Sequence, residues 1–195
     1  MDKNEAVKKA KTVEGFMYEQ ELQLLYDLCK DKIVAEIGSW LGKSSFAIAS
    51  SAKELYCIDV WNDKDYNFIE NPGVKKHYAV TREKVTGNMF EKFKENIKDF
   101  KNIRILQLPS WEAADKIPDN SLDIVFVDGD HSHGGVKKDI DRFYPKLKNE
   151  GMFVFHDYNI SSWEGVKKAV DEAEIEKGMI RIKGIKTIES FVVKK

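Results

Sequence analysis

Short apolar runs alternate with stretches of helical periodicity along almost the whole chain. Lys32–Gly38 (KIVAEIG), Leu55–Val60 (LYCIDV), Ile103–Leu108 (IRILQL), Leu122–Val127 (LDIVFV) and Met152–Phe155 (MFVF, entered through Gly151) each read as a strand. Between and around them lie helical patterns. Phe46–Ala52 reads as helix, and Phe90, Phe93, Ile97 and Phe100 share one helix face. Val136, Ile140, Phe143, Tyr144 and Leu147 form a second stripe, and Trp163, Val166, Val170 and Ala173 a third. Ahead of the first strand, Tyr18, Leu22, Leu25, Tyr26 and Cys29 mark an amphipathic helix. Two short strands, near Met179–Ile182 and Glu189–Val193, close the chain without a helix between them. Alternation of this kind, with nearly continuous apolar strands, predicts a parallel sheet covered by helices on both faces. The final pair predicts an antiparallel hairpin at the edge. The expected fold is therefore α/β, a doubly wound mixed sheet of about seven strands.

A length of 195 residues suits one domain, and no linker or repeat interrupts it. The reading is a single domain over 1–195, with a helical segment over 1–30 and an insertion over 61–87. That insertion, Trp61–Gly87, is too long for an ordinary connection and is expected to act as a lid, carrying Trp61, Tyr66, Phe68, His77 and Tyr78. The balance of 32 basic and 33 acidic residues leaves a formal charge of −1, which argues against a predominantly electrostatic nucleic-acid binder. The pairs Lys137-Lys138 and Lys167-Lys168 read as solvated helix faces. No apolar run is long enough to span a membrane, and the charged start MDKNEAVKKAKTVEG has no signal-peptide character. Cys29 and Cys57 sit in apolar patterns without metal-ligand spacing, so both are expected as reduced core residues of a cytoplasmic protein.

Ligands of open parallel sheets bind beyond the carboxyl ends of the strands, so the residues there carry the chemistry. The first strand runs into Glu36-Ile37-Gly38-Ser39-Trp40-Leu41-Gly42-Lys43-Ser44-Ser45, a glycine-framed turn into a helix. Its spacing is not the G-x-G-x-x-G of dinucleotide enzymes, and G-x-x-x-G-K-S is one residue short of a P-loop. The second strand ends at Asp59, where an acid can accept hydrogen bonds from both hydroxyls of a ribose, or can simply be a solvated carboxylate. The third is followed by Ser110 and Trp111; Trp111 can flank a flat ring or anchor a helix. The fourth runs into Asp128-Gly129-Asp130-His131-Ser132-His133 and the fifth into His156-Asp157-Tyr158-Asn159. Apolar strands ending in such dense ionisable groups need a reason, because burying charge without partners is costly. The reason can be a divalent cation, general acid–base chemistry, or a hydrogen-bonded network that closes the strand ends.

Taken in order, EIGSWLGKSS, Asp59 in YCIDVW, FVDGDHSHGGVKKDI and GMFVFHDY resemble the class I S-adenosylmethionine-dependent methyltransferases over roughly residues 30–160. The branch they resemble contains macrolide-sugar and related small-molecule O-methyltransferases. The resemblance implies a Rossmann-like fold with S-adenosyl-L-methionine as cofactor and a small-molecule acceptor, with a hydroxyl oxygen as the expected nucleophile. It implies that Glu36, Gly38 and Ser39, with Gly42 and Ser44 in the same turn, hold the methionine end of the cofactor. Asp59 would hold the ribose, and Ser110 and Trp111 would lie near the adenine. Asp128, which also borders the cofactor, and His131 three residues later would be the catalytic pair, with His131 as general base. Asp128, His156 and Asp157 would be the metal ligands. A histidine at position 156, where an acid is usual, and Tyr158, where catechol-type relatives carry asparagine, leave open whether magnesium, a softer metal or none is bound.

Two other classes compete. A metal-dependent hydrolase could use Asp128, His131, His156 and Asp157, but would leave Asp59 and the glycine turn without a role. A partner-binding domain could keep the sheet and lack the chemistry. Neither a nucleic-acid nor a membrane partner is expected, and a homo-oligomer is left open.

Overall fold

The computed structural model describes residues 1–61, 88–182 and 184–195. Apart from Trp61, the expected lid lies outside the described residues. Helices α1 (Lys3–Ala10) and α2 (Glu19–Leu28) precede strand β1 (Ile33–Ile37). Then follow α3 (Lys43–Ala49), β2 (Glu54–Asp59), α4 (Met89–Ile97), β3 (Ile103–Gln107), α5 (Ser110–Ala114) and β4 (Leu122–Val127). The chain ends with α6 (His133–Phe143), β5 (Leu147–Phe155), α7 (Glu164–Glu176), β6 (Ile180–Arg181) and β7 (Glu189–Val192). All strands join one seven-stranded sheet in the order β3-β2-β1-β4-β5-β7-β6. The first five are mutually parallel, and β7 runs antiparallel to both β5 and β6. This is the expected doubly wound mixed sheet with an antiparallel edge pair.

Both faces are buried because successive strand residues point opposite ways. Val34, Leu55, Cys57, Ile124, Phe126 and Val154 pack under α2, α3 and α4. Ala35, Ile37, Val125, Val127, Phe153 and Phe155 pack under α5, α6 and α7. Each fully buried side chain of this size contributes roughly 1.5–3 kcal/mol. Cys29 and Cys57 are buried free thiols within the first of these layers, as expected. Among the described residues no helix is long and apolar enough to cross a membrane.

Three departures have local causes. Within the helical segment expected over 1–30, helix α1 had no apolar stripe to mark its bounds, because its inward face consists only of Ala6, Val7 and Ala10 and its stability leans on the Asp2 cap of the Glu5 amide. Helix α3 starts at Lys43 rather than Phe46, since the inward positions of its first turn are the polar Ser44 and Ser45. Strand β5 starts at Leu147, five residues before the apolar run, and the intervening Glu150 lies in the left-handed region at φ 61°. The pairing with β4 shifts register there, between Leu122 and Ile124.

Candidate active site

Strand β1 lies between β2 and β4, so the connections on its two sides diverge and open a crevice at its carboxyl end. Backbone bonds extend the ladder past the strand ends: Gly38 N donates to Ile58 O (2.8 Å), Asp128 N to Ile37 O (2.9 Å) and His156 N to Val127 O (3.0 Å). Residues 38, 128 and 156 are therefore held side by side on one rim. A Cβ on Gly38 would lie 2.1 Å from the Asp128 carbonyl oxygen, so glycine is what lets the first and fourth strand ends meet.

Glu36 follows Val34 by two residues and shares its face, which turns its carboxylate under the first turn of α3. It is fully buried. Its Oε2 accepts from Ser39 Oγ at 2.7 Å and from the Ser45 hydroxyl, while Oε1 has no hydrogen-bond partner among the described residues. Burial raises the carboxyl to about 6, with the hydroxyls of Ser44, Ser45 and Ser39 opposing the rise. Ser39 and Ser44 thus occupy the site by supporting Glu36, and Ser45 joins them.

Asp59 is held differently. Oδ2 accepts from the Trp40 amide (2.9 Å) and Oδ1 from the Trp61 amide (2.8 Å), so the carboxylate ties the β1 and β2 exits together. Trp40 and Trp61 both carry positive φ, 42° and 43°, and the Trp61 Nε1–H donates to Trp40 O at 2.6 Å. Strained residues of this kind persist where the surroundings over-determine them. Each oxygen of Asp59 keeps a lone pair for a further donor.

At the third strand end, Trp111 is 42% exposed with the Lys138 ammonium 3.4 Å from its ring centroid. Ser110 Oγ donates to Asp139 Oδ1 at 2.5 Å. Asp139 is buried in α6; burial raises its carboxyl to about 7, Ser110 and Lys138 oppose the rise, and Asp130 adds to it. An acid raised on folding stabilises the fold fully below the unfolded carboxyl pKa and loses that contribution as pH climbs through the folded value. Asp139→Asn stays neutral and still accepts from Ser110. It is expected to melt above wild type by a gap that widens between about pH 4 and about pH 8, each kcal/mol being worth roughly 2–4 °C. Thermal unfolding across that range checks this; a gap that stays flat refutes it.

The fourth and fifth strand ends form one cluster. His131 Nε2 lies 2.9 Å from Asp157 Oδ2 and 3.6 Å from Asp128 Oδ1. His156 Nδ1 lies 3.2 Å from both Asp128 Oδ1 and Asp157 Oδ2, and its Nε2 lies 3.5 Å from Glu21 Oε2. Burial disfavours charge on His131, but Asp128 and Asp157 outweigh it and raise the imidazole to about 9. Burial pushes Asp128 and Asp157 upward, and the two histidines prevail and hold both carboxyls below their usual range. The His131 ring stacks on Trp163 at 4.4 Å. Asp157 adopts φ 57°, which turns its side chain back toward the rim. His133 is not part of the cluster; it pairs with Glu172 on α7 at 2.7 Å. Asn159 is exposed, and the Tyr158 hydroxyl donates to Asp171 at 2.5 Å.

The family described as "Methyltransferase domain" matches residues 35–158, from Ala35 within β1 to Tyr158. The chain belongs to this family: it is a class I S-adenosylmethionine-dependent methyltransferase domain. A curated relative, the uncharacterized protein y4gI of Sinorhizobium fredii, is 28% identical over 133 residues, which is 65% of this chain. The chain spans only 13% of that relative's length. Two solved structures share the fold. The O-methyltransferase NovP superposes with a TM-score of 0.68 at 15% identity, covering 91% of this chain and 81% of its own. A candidate caffeoyl-CoA O-methyltransferase from Staphylococcus aureus gives 0.68 at 16% identity, covering 100% and 93%.

The residues of this methyltransferase domain fit a sulfonium cofactor. The unpartnered, buried Oε1 of Glu36 offers an acceptor for the ammonium of an amino acid, and Asp59 retains acceptor capacity for hydroxyls. A divalent cation fits as well: Asp128, His131 and Asp157 present ligand atoms within 4.8 Å of one another, and the ring nitrogens of His131 and His156 that face the carboxylates lack well-formed hydrogen bonds. The geometry adds His131 to the ligand set expected from the sequence, which named Asp128, His156 and Asp157. Ser45, Trp163 and Glu21 were not singled out from the sequence. Glu21 had a signal: it falls inside the apolar stripe of α2, between Tyr18 and Leu25, where a carboxylate needs buried partners.

Proposed function

We propose that this methyltransferase domain transfers the methyl group of S-adenosylmethionine to a hydroxyl oxygen of a small molecule, with Asp128 and His131 handling the hydroxyl proton. One observation carries the reading. An anchoring half (Glu36 with its free Oε1, Asp59) and a proton-handling half (Asp128, His131, Asp157) converge on the same rim, at the strand-order switch point. In this reading Glu36, Gly38, Ser39, Gly42 and Ser44 enclose the methionine end, Asp59 takes the ribose, and Ser110 and Trp111 border the adenine. The cofactor supplies an electrophilic methyl on a positively charged sulfur. The protein's part is to hold an acceptor lone pair in line with that methyl, which is where much of the rate arises, and to remove the proton. A divalent cation held by Asp128 and Asp157, with His131 or His156, would lower the pKa of a bound hydroxyl. The nitrogen content of that set favours manganese, iron or zinc over magnesium. A formal charge of −1 supports a small acceptor over a polyanion, and two buried free thiols support a reducing, cytoplasmic setting.

Calorimetry with S-adenosylmethionine and S-adenosylhomocysteine, followed by methyl-labelled cofactor offered to phenols, sugars, amines and RNA, tests the proposal. The expected result is binding of both ligands and label on hydroxyl acceptors. Tight manganese or zinc binding with no cofactor binding would favour a hydrolase, and no binding of either a scaffold. Label on amines or RNA would overturn the acceptor class.

A further inference from the structure

Trp163 and Gly165 lie outside the stretch that matches the family, residues 35–158, yet both press on the turn that carries His131. Trp163 closes a short 3₁₀ turn, Ser161–Trp163, immediately before α7. Its indole lies over the His131 imidazole, with ring centroids 4.4 Å apart and planes 24° from parallel. Gly165 sits in the first turn of α7. A Cβ there would lie 2.6 Å from the His133 amide nitrogen, 2.9 Å from the His131 carbonyl oxygen and 3.1 Å from the Ser132 carbonyl carbon. The missing side chain lets the start of α7 lie flat against the backbone of residues 131–133. That close approach brings the indole, two residues earlier, over the ring.

The torsion that sets an imidazole's plane is soft, so something must hold it. The two carboxylates do not. His131 Nε2 lies 2.9 Å from Asp157 Oδ2 and 3.6 Å from Asp128 Oδ1, but it makes no well-formed hydrogen bond among the described residues. What bears on the face of the ring is Trp163.

We infer that Trp163 is a positioning residue for methyl transfer: its indole, seated by the close approach at Gly165, fixes the plane of His131 so that Nε2 points at the Asp128 and Asp157 side of the rim. The inference rests on reading His131 as the group that handles the hydroxyl proton. Proton removal needs the accepting nitrogen within hydrogen-bond reach of that proton. A ring free to turn spends most of its time elsewhere, and a misplacement of about 1 Å can cost ~10²-fold in rate. Trp163 also packs on the apolar layer under α5, α6 and α7. Packing alone would tie the residue to stability and give it no effect on turnover that passes through His131.

Two measurements test this. The first is the set of nuclear Overhauser contacts in the wild type between the carbon-bound ring protons of His131 and the indole protons of Trp163. The second is steady-state kinetics on the hydroxyl acceptor found by the labelling screen. Trp163→Leu is expected to lower kcat by roughly 10- to 100-fold, with acceptor KM and S-adenosylhomocysteine affinity unchanged. Trp163→Phe keeps a flat face and is expected to recover most of the rate. Added to His131→Ala, Trp163→Leu should cause no further loss, because the two residues act through one ring. Trp163→Met fills the space without a flat face and serves the same purpose where the leucine variant fails to fold. Absent ring contacts in the wild type, a wild-type kcat in Trp163→Leu, a raised KM in place of a lowered kcat, or an equal further loss in the His131→Ala background would each overturn the inference. Calorimetry with S-adenosylhomocysteine on the wild type tests the methyltransferase reading separately: absent binding with intact ring contacts would sink that reading and leave the placement of the ring standing.

Discussion

His131→Ala is expected to lower methyl transfer by about two to four orders of magnitude while leaving S-adenosylhomocysteine affinity nearly unchanged. The expectation follows from where the ring sits. Its Nε2 is 2.9 Å from Asp157 and 3.6 Å from Asp128, on the proton-handling side of the rim. His133→Ala is the matched control, since that ring pairs with Glu172 away from the rim and should change the rate little. The pH dependence adds an independent check. Asp128 and Asp157 raise His131 to about 9 against the effect of burial, so across the neutral range the ring carries a proton, and only the unprotonated ring can accept one. The wild-type rate is therefore expected to climb through neutral pH and level off near pH 9, and the variant should lose that climb. A divalent ion bound at the cluster competes with the proton and would move the rise to lower pH. Equal rates for wild type and His131→Ala, on whichever hydroxyl acceptor the labelling screen identifies, would remove His131 from the mechanism.

Much of this site was legible because apolar strands stop abruptly at charged residues. Asp59, Asp128 and Asp157 each follow a buried strand, and parallel pairing brings those ends to one rim. What the pattern could not tell was which charges meet. The resemblance assigned roles to His131 and His156 and none to His133, but the apolar pattern did not say which ring meets which carboxylate; the turn at Ser132, which caps α6, sends His133 outward to Glu172 and leaves His131 facing Asp157. Glu21 and Thr187 are 166 residues apart, and no local signal pairs them. Ser45 carried no signal of its own, because the expected helix began only at Phe46; the helix starts at Lys43 and turns the Ser45 hydroxyl onto the buried Glu36 carboxylate. The departures share one cause: each depends on a polar group finding a distant polar partner in the interior, which hydrophobic periodicity does not encode.

Gly38→Ala should abolish S-adenosylhomocysteine binding and lower the melting temperature. Two penalties add. The residue adopts φ 89°, a conformation that costs an L-residue roughly 1–2 kcal/mol. Its new Cβ would also lie 2.1 Å from the Asp128 carbonyl oxygen, 2.6 Å from the Asp128 carbonyl carbon and 2.8 Å from the Gly129 Cα. All three are backbone atoms, so no side chain can rotate away, and relief requires the β1 and β4 exits to separate. Overpacking of this kind typically costs a further ~1–3 kcal/mol. The separation would pull Asp128 from the rim and break the Asp128 N to Ile37 O bond of 2.9 Å. It would also shift the turn that carries Ser39 to Glu36. Stability and the cofactor slot thus fail together. Gly134→Ala is the contrast: nothing lies within 4 Å of the added methyl, and the position is helical. There the substitution should leave ligand binding intact and raise stability by about 0.5–1 kcal/mol. Scanning calorimetry with and without S-adenosylhomocysteine separates the two glycines; a Gly38→Ala protein that binds the ligand and melts like wild type would mean the two strand ends do not form a single slot.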